Sequence, residues 1–311
     1  MPADNSCITL PGPWQHKFIT ANGAQFHVAL AGEYDADKPL VLLVHGFPQF
    51  WWTWRNQIPA LAEAGYQVAA MDLRGYGGSD KPPNSENGLL SAQDLVAMVR
   101  ALGYSRAVLV GLGRGGAHAW TAVSMNPTLF AGLVTVSAPH PRTLQRVGMH
   151  VTLKTWRNAL LMSTPMLARR ALHNKAEVLR MLRSWSAPNN SGATAEVDVY
   201  AQALQLPGVA QAAISQLRWT WLAQSRPSGR AYLRESAHSI TIPVLTVRGE
   251  LDPLLPARAW KKDGEFAIGP YQHVEISGVG HFAPEEDPAR FNALLLDFLA
   301  NLDHPDLRAN I

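Results

Sequence analysis

Ala107–Met125, AVLVGLGRGGAHAWTAVSM, is the stretch that decides the architecture. Ala107–Val110 is a short continuous apolar run, as expected of a strand buried on both faces of a sheet. The run breaks into glycines at Gly111, Gly113, Gly115 and Gly116, and from Gly115 to Met125 the pattern is helical. A strand that passes through a glycine turn directly into a helix is half of a strand–helix–strand unit. The same alternation surrounds it. Leu40–Val44 (LVLLV), Gln67–Met71 (QVAAM) and Leu133–Val136 (LVTV) are strand-length runs ending in His45-Gly46, Asp72 and Ser137. Helical patterns cover about Trp51–Ala64 and Leu90–Leu102. Gln25–Leu30 (QFHVAL) alternates polar and apolar residues, as a half-exposed strand does. The expected class is α/β, with a mostly parallel sheet flanked by helices.

The alternation stops after Pro139-His140-Pro141. From there to about His238 the chain is helical in character, interrupted by a Pro/Asn/Ser/Gly loop around Pro188–Gly192. Strand-like runs resume at Ile242–Val247 and His273–Ile276, and a last helix is expected over about Asp287–Asn301. This predicts a discontinuous core, residues 1–140 and 239–311, with a helical insertion over 141–238. No repeat or low-complexity segment is present.

Composition narrows the function classes. Of 311 residues, 47% are hydrophobic and 16% charged, which suits a large buried core. The net charge of +3 comes without basic runs, so no nucleic-acid partner is expected. Cys7 is the one cysteine, which excludes an intrachain disulfide and a cysteine-built metal site. No metal or cofactor is expected. The N-terminal MPADNSCITLPGPW lacks a basic segment followed by an apolar run, and no stretch approaches the ~20 apolar residues of a membrane span. A cytoplasmic location is the expectation. Trp156–Leu172 mixes Trp, Leu, Met and Arg, but Pro165 interrupts it, so membrane contact is not the favoured reading.

The chemistry-bearing residues follow the ends of the expected strands, where open α/β sheets place their ligands. His45-Gly46-Phe47-Pro48 forms a turn whose Phe47 N–H is placed to donate to an oxyanion, although any strand-to-helix turn has this look. Asp72–Asp80 (DLRGYGGSD) is a tight loop whose charges serve to hold it. Gly111–Gly116 has the frame of a nucleophile elbow, G-x-Nuc-x-G-G, with the Arg114 N–H as the second oxyanion donor. Gly113 stands where the nucleophile would be. Asp252 and His281 come later, each after a strand. The chain order elbow, acid, histidine is that of an α/β-hydrolase triad, in which the acid holds the imidazole's tautomer and stabilises its charged form.

His45–Pro83 (HGFPQFWWTWRNQIPALAEAGYQVAAMDLRGYGGSDKPP), VSAPHP, RGELDP and GVGHFAPEEDP resemble the epoxide-hydrolase and haloalkane-dehalogenase branch of the α/β-hydrolases. The resemblance spans nearly the whole core. It implies a sheet of about eight strands and a helical cap over the site. It also implies an elbow aspartate that attacks the epoxide carbon, a histidine that activates water against the resulting ester, and two cap tyrosines that polarise the epoxide oxygen.

This chain departs from that pattern at the elbow. Elbows of the family commonly read G-H-D-W-G or G-H-S-x-G-G; here Leu112, Gly113 and Arg114 fill the three central positions. Glycine tolerates the strained elbow backbone at little cost, so an elbow released from attack gains stability by becoming glycine. The second cap tyrosine is also missing: Gln216–Trp221 (QLRWTW) stands where an L-N-x-Y-R motif would, leaving Tyr200 and Tyr232. His45, Pro48, Trp51, Leu112, Tyr200 and Trp219 are the expected pocket residues. Tyr200 and the tryptophans read equally as packing. Arg114 opens a helix whose free N–H groups favour an anion, so a ligand carboxylate fits there; more simply, it snorkels to solvent or pairs with a carboxylate.

Two functions remain. One is a pseudoenzyme that binds an apolar or amphipathic small molecule under the cap, or a protein partner, without hydrolysis. The other is an active hydrolase of epoxides or esters in which Asp252–His281 activates water directly, a contribution of about 10²–10⁴-fold. Lyase-like and cofactor-free oxygenase chemistry on the same pair stay open beside them, because the fold alone does not choose.

Overall fold

The glycine-punctuated strand lies at the middle of an eight-stranded sheet. The computed structural model describes residues 5–83, 85–147, 160 and 163–303. The strands are β1 (Gln15–Ala21), β2 (Ala24–Ala31), β3 (Leu40–Val44), β4 (Val68–Met71), β5 (Ala107–Leu112), β6 (Phe130–Val136), β7 (Val244–Gly249) and β8 (Tyr271–Ile276). Their order is β1-β2-β4-β3-β5-β6-β7-β8. From β4 onward every pairing is parallel; β2 runs antiparallel to both β1 and β4. Every residue of β3, β4, β5, β6 and β7 is buried, which explains their continuous apolar character.

Helices α1 (Gln57–Glu63), α2 (Gly88–Ala101) and α3 (Arg114–Met125) join the early strands. Between β6 and β7 lie α4 (Pro141–Val147), α5 (Pro165–Leu172), α6 (Lys175–Trp185), α7 (Val197–Gln205), α8 (Val209–Trp221) and α9 (Pro227–Glu235). No strand interrupts this stretch among the described residues. The chain ends in α10 (Ala283–Glu286) and α11 (Pro288–Asp303). Asparagines cap α2 and α6: Asn87 Oδ1 accepts from Leu89 N at 3.0 Å and Asn174 Oδ1 from Ala176 N at 2.9 Å.

Three local expectations need correction. Strand β1 had not been anticipated; its signal was Asn22-Gly23, the preferred dipeptide of a two-residue hairpin, here with positive φ at both residues. Strand β2 is not half-exposed, since seven of its eight residues are buried. Its polar His27 lies inside because Asp72 Oδ2 sits 2.8 Å from His27 Nδ1. The helix over Trp51–Ala64 is two pieces, a 3-10 turn at Trp51–Trp54 and then α1. Pro59 has no N–H for the Arg55 carbonyl, so one continuous helix cannot form across that point.

Of Trp156–Leu172, residues 156–159 and 161–162 lie outside the described residues. Leu160, Met166 and Leu167 are exposed. Among the described residues no helix is long and apolar enough to cross a membrane.

Candidate active site

The elbow is built by close packing. Strand β5 ends at Leu112, Gly113 turns with φ 52° and ψ −115°, and α3 starts at Arg114. Gly113 N donates to Val136 O at 2.8 Å, and its carbonyl accepts from Ala117 N at 3.1 Å, so the turn is held from both sides. A Cβ on Gly115 would fall 2.3 Å from the Val44 carbonyl oxygen and 2.5 Å from that of His45. Glycine there lets the start of α3 lie against the turn after β3. A Cβ on Gly113, in contrast, would meet only His281 Nε2, at an ordinary 3.4 Å.

Asp252 and His281 come together as the chain order predicted. His281 Nδ1 lies 2.9 Å from Asp252 Oδ2, and both side chains are buried. The other carboxylate oxygen, Oδ1, accepts from Leu254 N at 2.9 Å. A carboxylate can only accept, so the imidazole proton sits on Nδ1 and Nε2 turns its lone pair toward Gly113.

The loop carrying His281 is held by residues that sequence reasoning did not name. His281 N donates to Trp185 O at 2.9 Å, and Ser137 Oγ donates to His281 O at 2.9 Å. Glu286 accepts from Gly280 N and Ala187 N at 2.8 Å and from Phe282 N at 2.9 Å. Burial raises its carboxyl above the ordinary value, against the lowering effect of those N–H groups. The acidic pair Glu285-Glu286 in GVGHFAPEEDP was the available signal, because buried acids need this many donors. Ser137 and Asp72, which follow β6 and β4, both have their side chains engaged. Asp72 Oδ1 accepts from Trp51 N at 2.9 Å, and its Oδ2 from Gly78 N at 2.9 Å beside His27.

The two expected oxyanion donors are free: among the described residues neither the Phe47 nor the Arg114 backbone N–H has an acceptor. The Phe47–Pro48 peptide bond is cis, and Pro48 and Leu112 are buried. Other expected pocket residues serve different contacts. His45 uses both ring nitrogens, Nδ1 at 2.7 Å from Gly46 O and Nε2 accepting from Leu73 N at 3.0 Å. Burial lowers its pKa, so it stays neutral. Trp51 donates from Nε1 to Ile8 O at 2.8 Å and packs edge-on against Trp14, His16 and Trp52. Trp219 donates to Ser228 Oγ at 3.1 Å and meets Tyr232 edge-on. His140 packs flat on Phe266 with Nε2 2.8 Å from Ser236 O, and burial takes its pKa down to about 3.

Tyr200 is drawn into a buried ion network. Its hydroxyl donates to Glu285 Oε1 at 2.6 Å; Arg55 Nη1 reaches the same oxygen at 2.7 Å, and Gln49 and Thr53 reach Oε2. Burial and the Glu285 charge push the phenol well above its ordinary value. Tyr200→Phe is expected to destabilise the protein by about 1–2 kcal/mol, because a charged acceptor loses a donor. Urea unfolding checks this. Tyr232 likewise donates to Ala117 O at 2.8 Å, and burial pushes its hydroxyl up to about 12.

Arg114 is partly exposed and has no carboxylate partner among the described residues. Its Nε and Nη1 are buried without a hydrogen bond, and Nη2 lies 3.5 Å from His118 Nε2.

An eight-stranded mostly parallel sheet with an elbow, an acid and a histidine at strand ends defines a class, and comparison with known proteins agrees. A family model described as the alpha/beta hydrolase fold matches residues 39–288. Epoxide hydrolase A of Mycobacterium tuberculosis (strain ATCC 25618 / H37Rv) is 30% identical over 92% of this chain and 98% of its own. AB hydrolase superfamily protein YfhM of Bacillus subtilis (strain 168) is 29% identical, with 92% and 98% covered. The crystal structure of Epoxide Hydrolase A from Mycobacterium thermoresistibile superposes with a TM-score of 0.76 at 25% identity, covering 92% of this chain and 98% of that one. The chain belongs to the α/β-hydrolase fold family, in its epoxide-hydrolase-like branch.

Proposed function

We propose that this protein binds an amphipathic small molecule above Gly113 and forms no covalent intermediate with it. One observation carries the reading. The backbone at residue 113 has the positive φ of an elbow and points its vacant Cβ direction at His281 Nε2, 3.4 Å away, so the attacking atom is what is missing. Gly113, Arg114 and Ala117 are partly exposed, while every other residue from 107 to 124 is buried, which supports an accessible space above the elbow. The helices α4–α9 act as a cap on this space, with residues 141–238 as an insertion into a core of 1–140 and 239–311. A protein partner is the other occupant to consider, and the exposed Leu160, Met166 and Leu167 favour it.

The intact Asp252–His281 contact favours a second reading, in which Nε2 takes a proton from water that attacks a reactive substrate. One assay separates the two. The natural protein is offered a panel of epoxides and p-nitrophenyl esters beside His281→Ala. The binding reading expects both proteins to match the buffer rate. Turnover that His281→Ala abolishes would sink it and establish water activation.

A further inference from the structure

Four hydrogen-bond donors around the first turn of α3 lack an acceptor among the described residues. They are Nε and Nη1 of Arg114, Oη of Tyr76 and Nδ1 of His118. His118 is a donor at Nδ1 for a definite reason. Burial, with the charge of Arg114, holds its pKa well below the ordinary value, so the ring is neutral. Its Nε2 faces Arg114 Nη2, which can only donate, so the single ring proton sits on Nδ1. Tyr76 is almost fully buried, its ring packs edge-on against His45, and burial keeps its phenol protonated.

A guanidinium cannot lose its charge in a protein, and an unpaired buried charge is strongly unfavourable. Among the described residues no carboxylate makes a hydrogen bond or ion pair with Arg114, whose one side-chain contact of this kind is with His118. The acids nearby in sequence are taken: Asp94 by Arg74 at 2.6 Å, and Asp72 by His27 at 2.8 Å. Residues 148–159 and 161–162, outside the described residues, contain no aspartate or glutamate; the other undescribed residues include Asp4 and Asp306, near the two ends of the given sequence. The start of α3 adds the free Arg114 N–H and the positive end of the helix dipole. The unmet requirement is therefore of one kind, an acceptor with negative charge.

We propose that Arg114, with Tyr76 and His118 beside it, is an anion subsite that receives the carboxylate of the ligand, while the ligand's apolar part lies over Gly113 and His281. This rests on the binding reading above and names its ligand class, a small amphipathic carboxylic acid. Arg114 follows Gly113 directly in the chain, and both are partly exposed, so one molecule can touch the two.

The test is calorimetry with octanoate and its uncharged isostere octanamide. The natural protein is expected to bind octanoate about ten- to a hundredfold more tightly than octanamide, the worth of charged hydrogen bonds. Arg114→Met should remove that preference, so that octanoate and octanamide bind equally. Tyr76→Phe should reduce it by about three- to tenfold. Folding of Arg114→Met is checked by thermal melting, which should rise in the ligand-free protein because an uncompensated charge has gone. Equal binding of the two probes, binding of neither, or a preference that survives in Arg114→Met would each overturn the subsite. Failure of the binding reading shows separately, as His281-dependent turnover of the ester and epoxide panel.

Discussion

Asp72→Asn is expected to lower stability by about 3–5 kcal/mol, because a fully buried carboxylate that accepts from Trp51 N and Gly78 N and faces His27 is replaced by a neutral amide. His27 and Asp72 are both fully buried, and His27 Nε2 lies 2.9 Å from Nδ1 of His16. His16 Nε2 in turn lies 2.8 Å from the Leu10 carbonyl, which can only accept. At the other end His27 Nδ1 lies 2.8 Å from Asp72 Oδ2, so the carboxylate is the acceptor that closes this buried chain. Burial pushes Asp72 up, but the His27 contacts and the Trp51 N–H outweigh it and hold the carboxyl below its ordinary 3.8. A depressed acid contributes its stability above the unfolded-state value and loses it as pH falls through the folded one. The gap between natural protein and variant, read by urea unfolding, should be full at neutral pH and narrow below pH 3.8. An undiminished gap at lower pH would contradict the lowered Asp72 carboxyl.

Gly113→Ser is expected to create an esterase. The serine Cβ would sit 3.4 Å from His281 Nε2, which brings Oγ, one bond further, into reach of a base already held by Asp252. The oxyanion donors at Phe47 and Arg114 are unoccupied among the described residues. Hydrolysis of p-nitrophenyl acetate should rise by about 10²–10⁴-fold over the natural protein, with a burst of p-nitrophenol, and fall back in the double variant with His281→Ala. The elbow backbone makes this variant about 1–3 kcal/mol less stable. Gly113→Asp should stay inactive on epoxides, because the hydroxyls of Tyr200 and Tyr232 already donate to Glu285 and Ala117. A Ser variant with no burst would mean that the elbow geometry is too distorted for attack.

Much of the candidate site was legible before any coordinates. The elbow was readable because glycines at 111, 113, 115 and 116 interrupt a buried strand at one point. The Asp252–His281 contact was readable because strand ends in such a sheet share one edge, so residues after β7 and β8 meet there. Other features left little local trace. The Tyr200 hydroxyl donates to Glu285, 85 positions away. Glu286 holds the His281 loop through backbone N–H groups of Gly280, Phe282 and Ala187, the last of them 99 positions away. Trp51 and His45 sit beside the right motif but turn into the sheet and its loops.

By itself, the sequence determined the α/β class, the place of the elbow, the absence of a side chain at Gly113 and the acid–histidine pair. Strand and helix periods, and chemistry at strand ends, are properties of neighbouring residues. Only the tertiary structure decided which polar groups found partners. Sequence allowed Arg114 a carboxylate or solvent; packing gave it no carboxylate among the described residues, buried its Nε and Nη1, and left its neighbours as donors too. Hydrogen-bond satisfaction is settled by contacts between distant segments, which no local pattern records.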